Sequence, residues 1–302
     1  MANLELWINW FTSSNYFWIL KHLVGATTFF GLGTLGLLYK YQNSLIYQPD
    51  FPDGSRRKID TPSKYDLPFN EVVITTADNV RLGAYLITRP EAQKDTPTLI
   101  YFHANAGNLG HRLPIAERLY HLLGCNILML SYRGYGYSEG APDEKGFKLD
   151  AEATLDFVVN HESLKDGKIV LYGQSIGGAV AIYTAQRFED KIHGLIVENT
   201  FLSLPKLIPS VLPLLKFTSS FCHQIWDSEK AISEIKHTPT LFLSGENDSL
   251  IPPSHMKKLY ETIPASTPKT FVSIPEGDHN DTCLKAEYFP AIGQFWNDHI
   301  KQ

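Results

Sequence analysis

The chain has 302 residues, 43% hydrophobic, 12% aromatic and 20% charged, which is enough apolar material for a large core and excludes a disordered tail, a collagen-like fibre or a coiled coil. Its 27 basic and 32 acidic side chains leave a net charge of −5, so no basic surplus points to nucleic acid. The three cysteines, Cys125, Cys222 and Cys283, are too few for a disulfide framework.

The first 49 residues differ from the rest. They carry only Glu5, Lys21 and Lys40 as charged side chains, yet hold 11 of the 37 aromatics. From Leu23 to Tyr39 runs LVGATTFFGLGTLGLLY, 17 residues without a charge. A helix of that length covers roughly 25 Å against about 30 Å of hydrocarbon. Snorkelling by Lys21, together with Tyr16, Phe17 and Trp18, closes the gap, and Tyr39 and Tyr41 form the opposite aromatic belt. A membrane anchor is therefore predicted over 1–47, with the span at about 17–39. Within it, Gly31-Leu-Gly33-Thr-Leu-Gly36 matches a dinucleotide fingerprint in letters only, because no strand precedes it. Lys40, Arg56, Arg57 and Lys58 after the span favour a cytosolic C-terminal part by charge counting. The sequons at Asn247 and Asn280 favour the other side, but both abut candidate site residues.

A polar connector at 48–68 leads into an alternating pattern over 69–302. Strand-like runs are predicted at Glu71–Thr75, Val80–Ile87, Thr98–His103, Asn126–Tyr132, Lys168–Tyr172, Gly194–Glu198, Thr240–Ser244 and Lys269–Ile274. Helical stretches are predicted at Arg112–Leu123, Asp143–His161, Gly177–Arg187, Ser254–Thr262 and Leu284–Lys301. Continuous apolar strands such as TLIYF and KIVLY suit a mostly parallel eight-stranded sheet covered by helices on both faces. The first two runs have no helix between them and predict an antiparallel hairpin at one edge. About 40 residues, 200–238, interrupt the alternation and are rich in Leu, Pro and Phe. Such a length predicts a short helical lid, suited to covering an acyl pocket or touching a membrane, with a helical hairpin packed on the core as the alternative.

The strongest chemical signal is Gly173-Gln174-Ser175-Ile176-Gly177-Gly178. It follows the run IVLY and precedes the helical AVAIYTAQ, the strand–turn–helix context in which G-x-S-x-G marks a nucleophile. Serine needs a base, and the base needs an orienting acid; in this arrangement they follow in the order Ser, Asp or Glu, His. Asp248 after LFLSGEN and His279 after FVSIPEGD fill those places. Glu246, Asp278, His255 and His299 are rivals; both rival histidines are expected at the surface, and Asp278 is too close in sequence to reach the His279 ring. The oxyanion donors are expected to be the N–H groups of Ile176 and of Asn105 in the loop His103-Ala104-Asn105-Ala106, with Ala106 as the alternative. Arg133, in the Gly-bearing loop 132–138, is expected to hold the scaffold. No spacing suggests a metal, and the triad chemistry needs neither metal nor cofactor.

The segments HANAGNLGHR, SYRGYGYSEG, YGQSIGG, SGENDSLIPP and GDHND resemble the α/β-hydrolase family. Within it they are most similar to the branch of membrane-anchored fungal bud-emergence (bem) hydrolases and animal abhydrolase-domain proteins related to depalmitoylases. The resemblance covers nearly the whole chain. It implies an α/β-hydrolase fold and a serine hydrolase of esters or thioesters, with Ser175, Asp248 and His279 at the triad positions and an acylated protein or lipid ester as substrate. It further implies a single-pass protein of the endomembrane system or plasma membrane, with the hydrolase outside the cytosol, opposite to the charge count. Ala104 stands where the family often has glycine. A tethered interaction protein without turnover, or a serine peptidase, are the alternative readings.

Overall fold

The computed structural model describes residues 5, 15–91 and 93–301. They form two units, divided between Leu45 and Ile46. The first is dominated by helix α1 (Asn15–Ile46), whose Trp18–Ile46 stretch is long and apolar enough to cross a membrane. Leu23, Phe29, Phe30 and Leu32 point outward and are exposed, an all-round apolar surface of the kind a membrane-spanning helix presents. The hydroxyls of Thr27 and Thr34 donate back to the carbonyls of Leu23 and Phe30, so neither is left without a partner in hydrocarbon. Gly31, Gly33 and Gly36 lie inside this helix and open no βαβ unit. The side chains of Tyr16 and Phe17 lie outside the described residues.

The second unit is built on one sheet in the order β1-β2-β4-β3-β5-β6-β7-β8. The strands are β1 (Phe69–Thr75), β2 (Arg81–Ile87), β3 (Thr98–Phe102), β4 (Asn126–Leu130), β5 (Ile169–Gln174), β6 (Gly194–Glu198), β7 (Thr240–Gly245) and β8 (Lys269–Ile274). β2 pairs antiparallel with both β1 and β4, and the other pairings are parallel. All eight predicted runs are strands, displaced by at most two residues at their ends. The central five strands are buried along their whole length, because helices cover both faces. On one face, α3 (Glu144–Asn160), α4 (Ile176–Arg187), α6 (Ser228–Ile232) and α7 (Pro253–Thr262) bury Phe147, Leu155, Ala181, Ile232 and Leu259. On the other, α2 (Leu113–Leu123) and α8 (Tyr288–His299) bury Leu119, Ile292 and Trp296. Edge strands β1 and β8 alternate or are half-covered, as strands with one open side do.

The two units divide between Leu45 and Ile46, two residues before the expected end of the anchor at 47; Ser55 and Leu67 within the 48–68 connector are buried, as is Tyr47 just before it. The burial of Ser55 and Leu67 cannot be read from a stretch whose composition is polar. Across 200–238 the chain forms α5 (Leu204–Val211), a 3-10 stretch at Pro213–Phe221 and α6. Leu212, Leu214 and Phe217 there are exposed, whereas Trp226 is buried. Arg133 is structural: its Nε and backbone N–H reach the buried Asp150, and its two terminal nitrogens grip Asp78.

Candidate active site

The apolar strand β5 ends on Gln174, and Ser175 follows with φ 56° and ψ −120°, directly before α4. A serine in this sparsely allowed region is strained, and the surroundings hold it there. Its N–H donates to Glu198 O, and its carbonyl accepts from Gly178 N–H and from the Thr200 hydroxyl. The turn closes so tightly that three glycines are steric requirements. A Cβ on Gly173 would lie 2.1 Å from Gly177 O; one on Gly177 would lie 2.1 Å from Phe102 O; one on Gly178 would lie 2.6 Å from Thr200 Cβ.

The loops after β7 and β8 bring Asp248 and His279 to the same sheet edge. His279 Nε2 is 3.1 Å from Ser175 Oγ, and its Nδ1 is 2.8 Å from Asp248 Oδ2. All three residues are buried. Asp248 is itself fixed, since its Oδ1 accepts the N–H groups of Leu250 and Ile251 at 2.9 and 2.7 Å. A carboxylate only accepts, so Nδ1 carries the proton and Nε2 turns its lone pair towards the serine. Asp278, the nearest rival, is occupied elsewhere: Oδ1 accepts from Ser249 and from the His279 backbone, which ties the acid-bearing loop to the base-bearing loop. Glu246 accepts from Ser273. His255, expected at the surface, is buried instead, because α7 packs under residues 200–202. Its Nδ1 accepts from Leu202 N–H, and burial lowers its pKa. His103 is fully enclosed, and burial pushes its pKa down to about 3. It is therefore neutral, with Nδ1 against Ala104 O at 2.7 Å.

Ile176 opens α4, so its N–H has no acceptor within the helix. The loop bearing Ala104 and Asn105 leaves β3 beside it: Phe102 stands opposite Gly173 in register, and the start of α4 touches Phe102 O and His103 O at Gly177. Ala104 does not adopt a positive φ, so the loop turns without a glycine at that place.

Three residues escaped the sequence reading. Asn199 donates to Thr282 Oγ1 at 2.8 Å and accepts from Gly245 N–H at 2.8 Å, tying β6 and β7 to the loop that carries His279. Thr200 braces the turn at Ser175. Glu198, fully buried, accepts from the hydroxyls of Tyr172 and Tyr288 and from Gln174 Nε2. The polar triplet Glu198-Asn199-Thr200, closing an otherwise apolar strand, was the available signal. Burial raises the Glu198 pKa, against the opposing effect of the two tyrosine donors. A carboxyl whose folded value is raised stabilises the fold fully below its unfolded pKa of about 4.3 and loses that contribution as pH rises through the folded value. Glu198→Gln is accordingly expected to gain thermal stability relative to the parent as pH goes from acid towards neutral. Parallel melting-temperature curves for the two proteins across that range would contradict it. Among the described residues, no three His, Cys, Asp or Glu gather as a metal site.

Comparison with known proteins identifies the family and the fold. Residues 97–217 match the family described as alpha/beta hydrolase fold. Protein bem46 of Schizosaccharomyces pombe is 45% identical over 284 residues, covering 94% of this chain and 95% of that one. The chain belongs to the α/β-hydrolase family. The uncharacterized membrane protein YNL320W of Saccharomyces cerevisiae is 42% identical over 91% of this chain and 94% of its own. Among solved structures, the Pyrococcus furiosus esterase Pf2001 superposes with a TM-score of 0.68 at 22% identity, covering 80% of this chain and 94% of that chain, a likeness of fold. The α/β-hydrolase fold, with an N-terminal helix able to span a membrane, is the architecture read from the sequence.

Proposed function

We propose that this α/β-hydrolase is a membrane-anchored serine hydrolase that cleaves carboxylic esters or thioesters. The observation that carries the reading is the unbroken chain Ser175 Oγ, His279 Nε2, His279 Nδ1, Asp248 Oδ2, with links of 3.1 and 2.8 Å. Ser175 Oγ attacks the acyl carbonyl while its proton passes to His279 Nε2. The N–H groups of Ile176 and Asn105 receive the developing oxyanion. As the tetrahedral intermediate collapses, Nε2 returns the proton to the departing alcohol or thiol, and a water repeats the sequence to free the acid. Asp248 holds the imidazole in the required tautomer and stabilises its charged form.

The test is a fluorophosphonate probe followed by peptide mapping of the full chain in detergent. The adduct is expected on Ser175, together with hydrolysis of nitrophenyl esters. A parent protein that neither reacts at Ser175 nor turns over short- or long-chain esters would be a tethered interaction protein instead.

Long acyl chains presented at a bilayer are the substrate class the lid favours. No carboxylate occurs between Glu198 and Asp227, while Leu212, Leu214 and Phe217 are exposed beside Lys216. This surface suits contact with anionic lipid. Phe217→Glu is expected to leave hydrolysis of a water-soluble short-chain ester within about twofold, and to cut hydrolysis of a bilayer-embedded long-chain ester by about tenfold, the equivalent of roughly 1.4 kcal/mol. Equal effects on both substrates would remove the lid from substrate access.

A further inference from the structure

The side chain of Asn105 has no part in the reading above, which uses only its N–H. Yet it is one of the most heavily engaged groups near the site. Nδ2 donates to Ile46 O at 2.6 Å, and Oδ1 accepts from Gln48 N–H at 3.2 Å and from the Tyr135 hydroxyl at 2.7 Å. The Tyr135 oxygen in turn accepts from Gln48 N–H at 3.1 Å. The same stretch continues alongside the loop: Gln48 forms an isolated parallel bridge with Ala106, and Gly107 N–H donates to Phe51 O at 2.7 Å.

Between these contacts Tyr47 points the other way and is 1% exposed. Its hydroxyl donates to Gln224 Oε1 at 2.8 Å and accepts from Trp226 Nε1 at 3.0 Å, and its ring packs on Phe147 at 5.1 Å between centroids. Gln224 Oε1 also accepts the N–H of Glu144 at the start of α3. Residues 46–48 therefore touch the oxyanion loop on one side and the end of the lid on the other.

We propose that Ile46-Tyr47-Gln48 clasps the oxyanion loop, and that Asn105 is a positioning residue whose side chain holds its own N–H in place for the developing oxyanion. The clasp consists of the last residue of α1 and the two that follow it. All three clasp residues belong to the unit that carries the site. The inference rests on the serine-hydrolase reading and adds to it a group that acts through the loop without touching substrate. A donor held in advance costs no reorganisation when charge develops, and for that reason the cost of loosening it falls on the transition state.

The test uses the full chain in detergent. Asn105→Ala removes all three bonds; Tyr135→Phe removes one atom and leaves the packing of a buried ring. Tyr137→Phe, at an exposed tyrosine, is the control. Each is assayed with a nitrophenyl ester and with a long-chain trifluoromethyl ketone, on which Ser175 Oγ adds to the carbonyl carbon, its proton goes to His279, and the carbonyl oxygen becomes the bound oxyanion. Asn105→Ala is expected to lower kcat by about 10- to 100-fold, less than the 10²- to 10³-fold of losing a donor outright, with KM within about twofold. Ketone affinity should fall in step with kcat/KM. Tyr135→Phe should show the same pattern more weakly, and Tyr137→Phe none of it. A merely structural role would lower the amount of active enzyme, counted by fluorophosphonate titration, without weakening ketone binding by the remainder. Unchanged kcat and ketone affinity in both Asn105→Ala and Tyr135→Phe would overturn the clasp while leaving Ser175 labelling intact. Absence of labelling in the parent would overturn the underlying reading and the clasp with it.

Discussion

Replacing Asp248 by asparagine is expected to lower kcat by about 10⁴-fold, the scale seen when an orienting carboxylate becomes an amide, with little change in stability. The direction follows from hydrogen-bond polarity. Oδ1 of Asp248 accepts two backbone N–H groups, from Leu250 and Ile251. An asparagine must keep its oxygen in that position, since an NH₂ group there would face two donors. Its NH₂ then occupies the place of Oδ2, 2.8 Å from His279 Nδ1, and donates where the carboxylate accepted. Nδ1 becomes the acceptor, the proton moves to Nε2, and the nitrogen facing Ser175 no longer has a lone pair for the serine proton. The side chain keeps its shape and its two backbone partners, so the loop after β7 should stay in place. The check is kcat together with ¹H–¹⁵N spectra of the His279 ring: a variant with the proton still on Nδ1, or with more than a tenth of parental kcat, would exclude this role for Asp248.

The parts legible in advance share a property: each is dictated by neighbours close in sequence. The buried strands TLIYF and KIVLY declare themselves by unbroken apolar runs, and the turn at Ser175 by glycines that must lie where the backbone meets itself. Asp248 and His279 could be singled out because each follows an apolar strand in the required order. What remained illegible depends on contacts distant along the chain. Asn105 is 57 residues from Gln48, and Tyr47 is 177 from Gln224; neither pairing leaves a periodicity to read. His255 has the polar surroundings of a surface helix, and only the packing of α7 under Leu202 buries it. The connector 48–68 poses the same difficulty: its prolines and charges resemble a linker, and nothing in that composition announces that Ser55 and Leu67 are buried.

Gly177→Ala should disable the site with a single methyl. An added Cβ would sit 2.1 Å from Phe102 O and 2.7 Å from His103 O, backbone atoms at the end of β3 that cannot rotate away. The start of α4 and the end of β3 must therefore separate. Each carries one proposed oxyanion donor, Ile176 on α4 and Asn105 two residues beyond His103, so one methyl spoils both halves of the hole at once. Overpacking of this kind typically costs about 1–3 kcal/mol and at times more, and displacing oxyanion donors costs about 10²- to 10³-fold in kcat for each one lost. The serine and imidazole could still meet, because Ser175 precedes the clash and His279 arrives from the other side. Fluorophosphonate labelling should accordingly slow by a factor close to the loss in kcat, since phosphonylation also develops charge on oxygen. Gly36→Ala, where nothing lies within 4 Å of the added carbon, is the matched control and should change neither quantity. If Gly177→Ala melted as the parent does and kept its turnover, the close approach of α4 to β3 would not be what sets the oxyanion geometry.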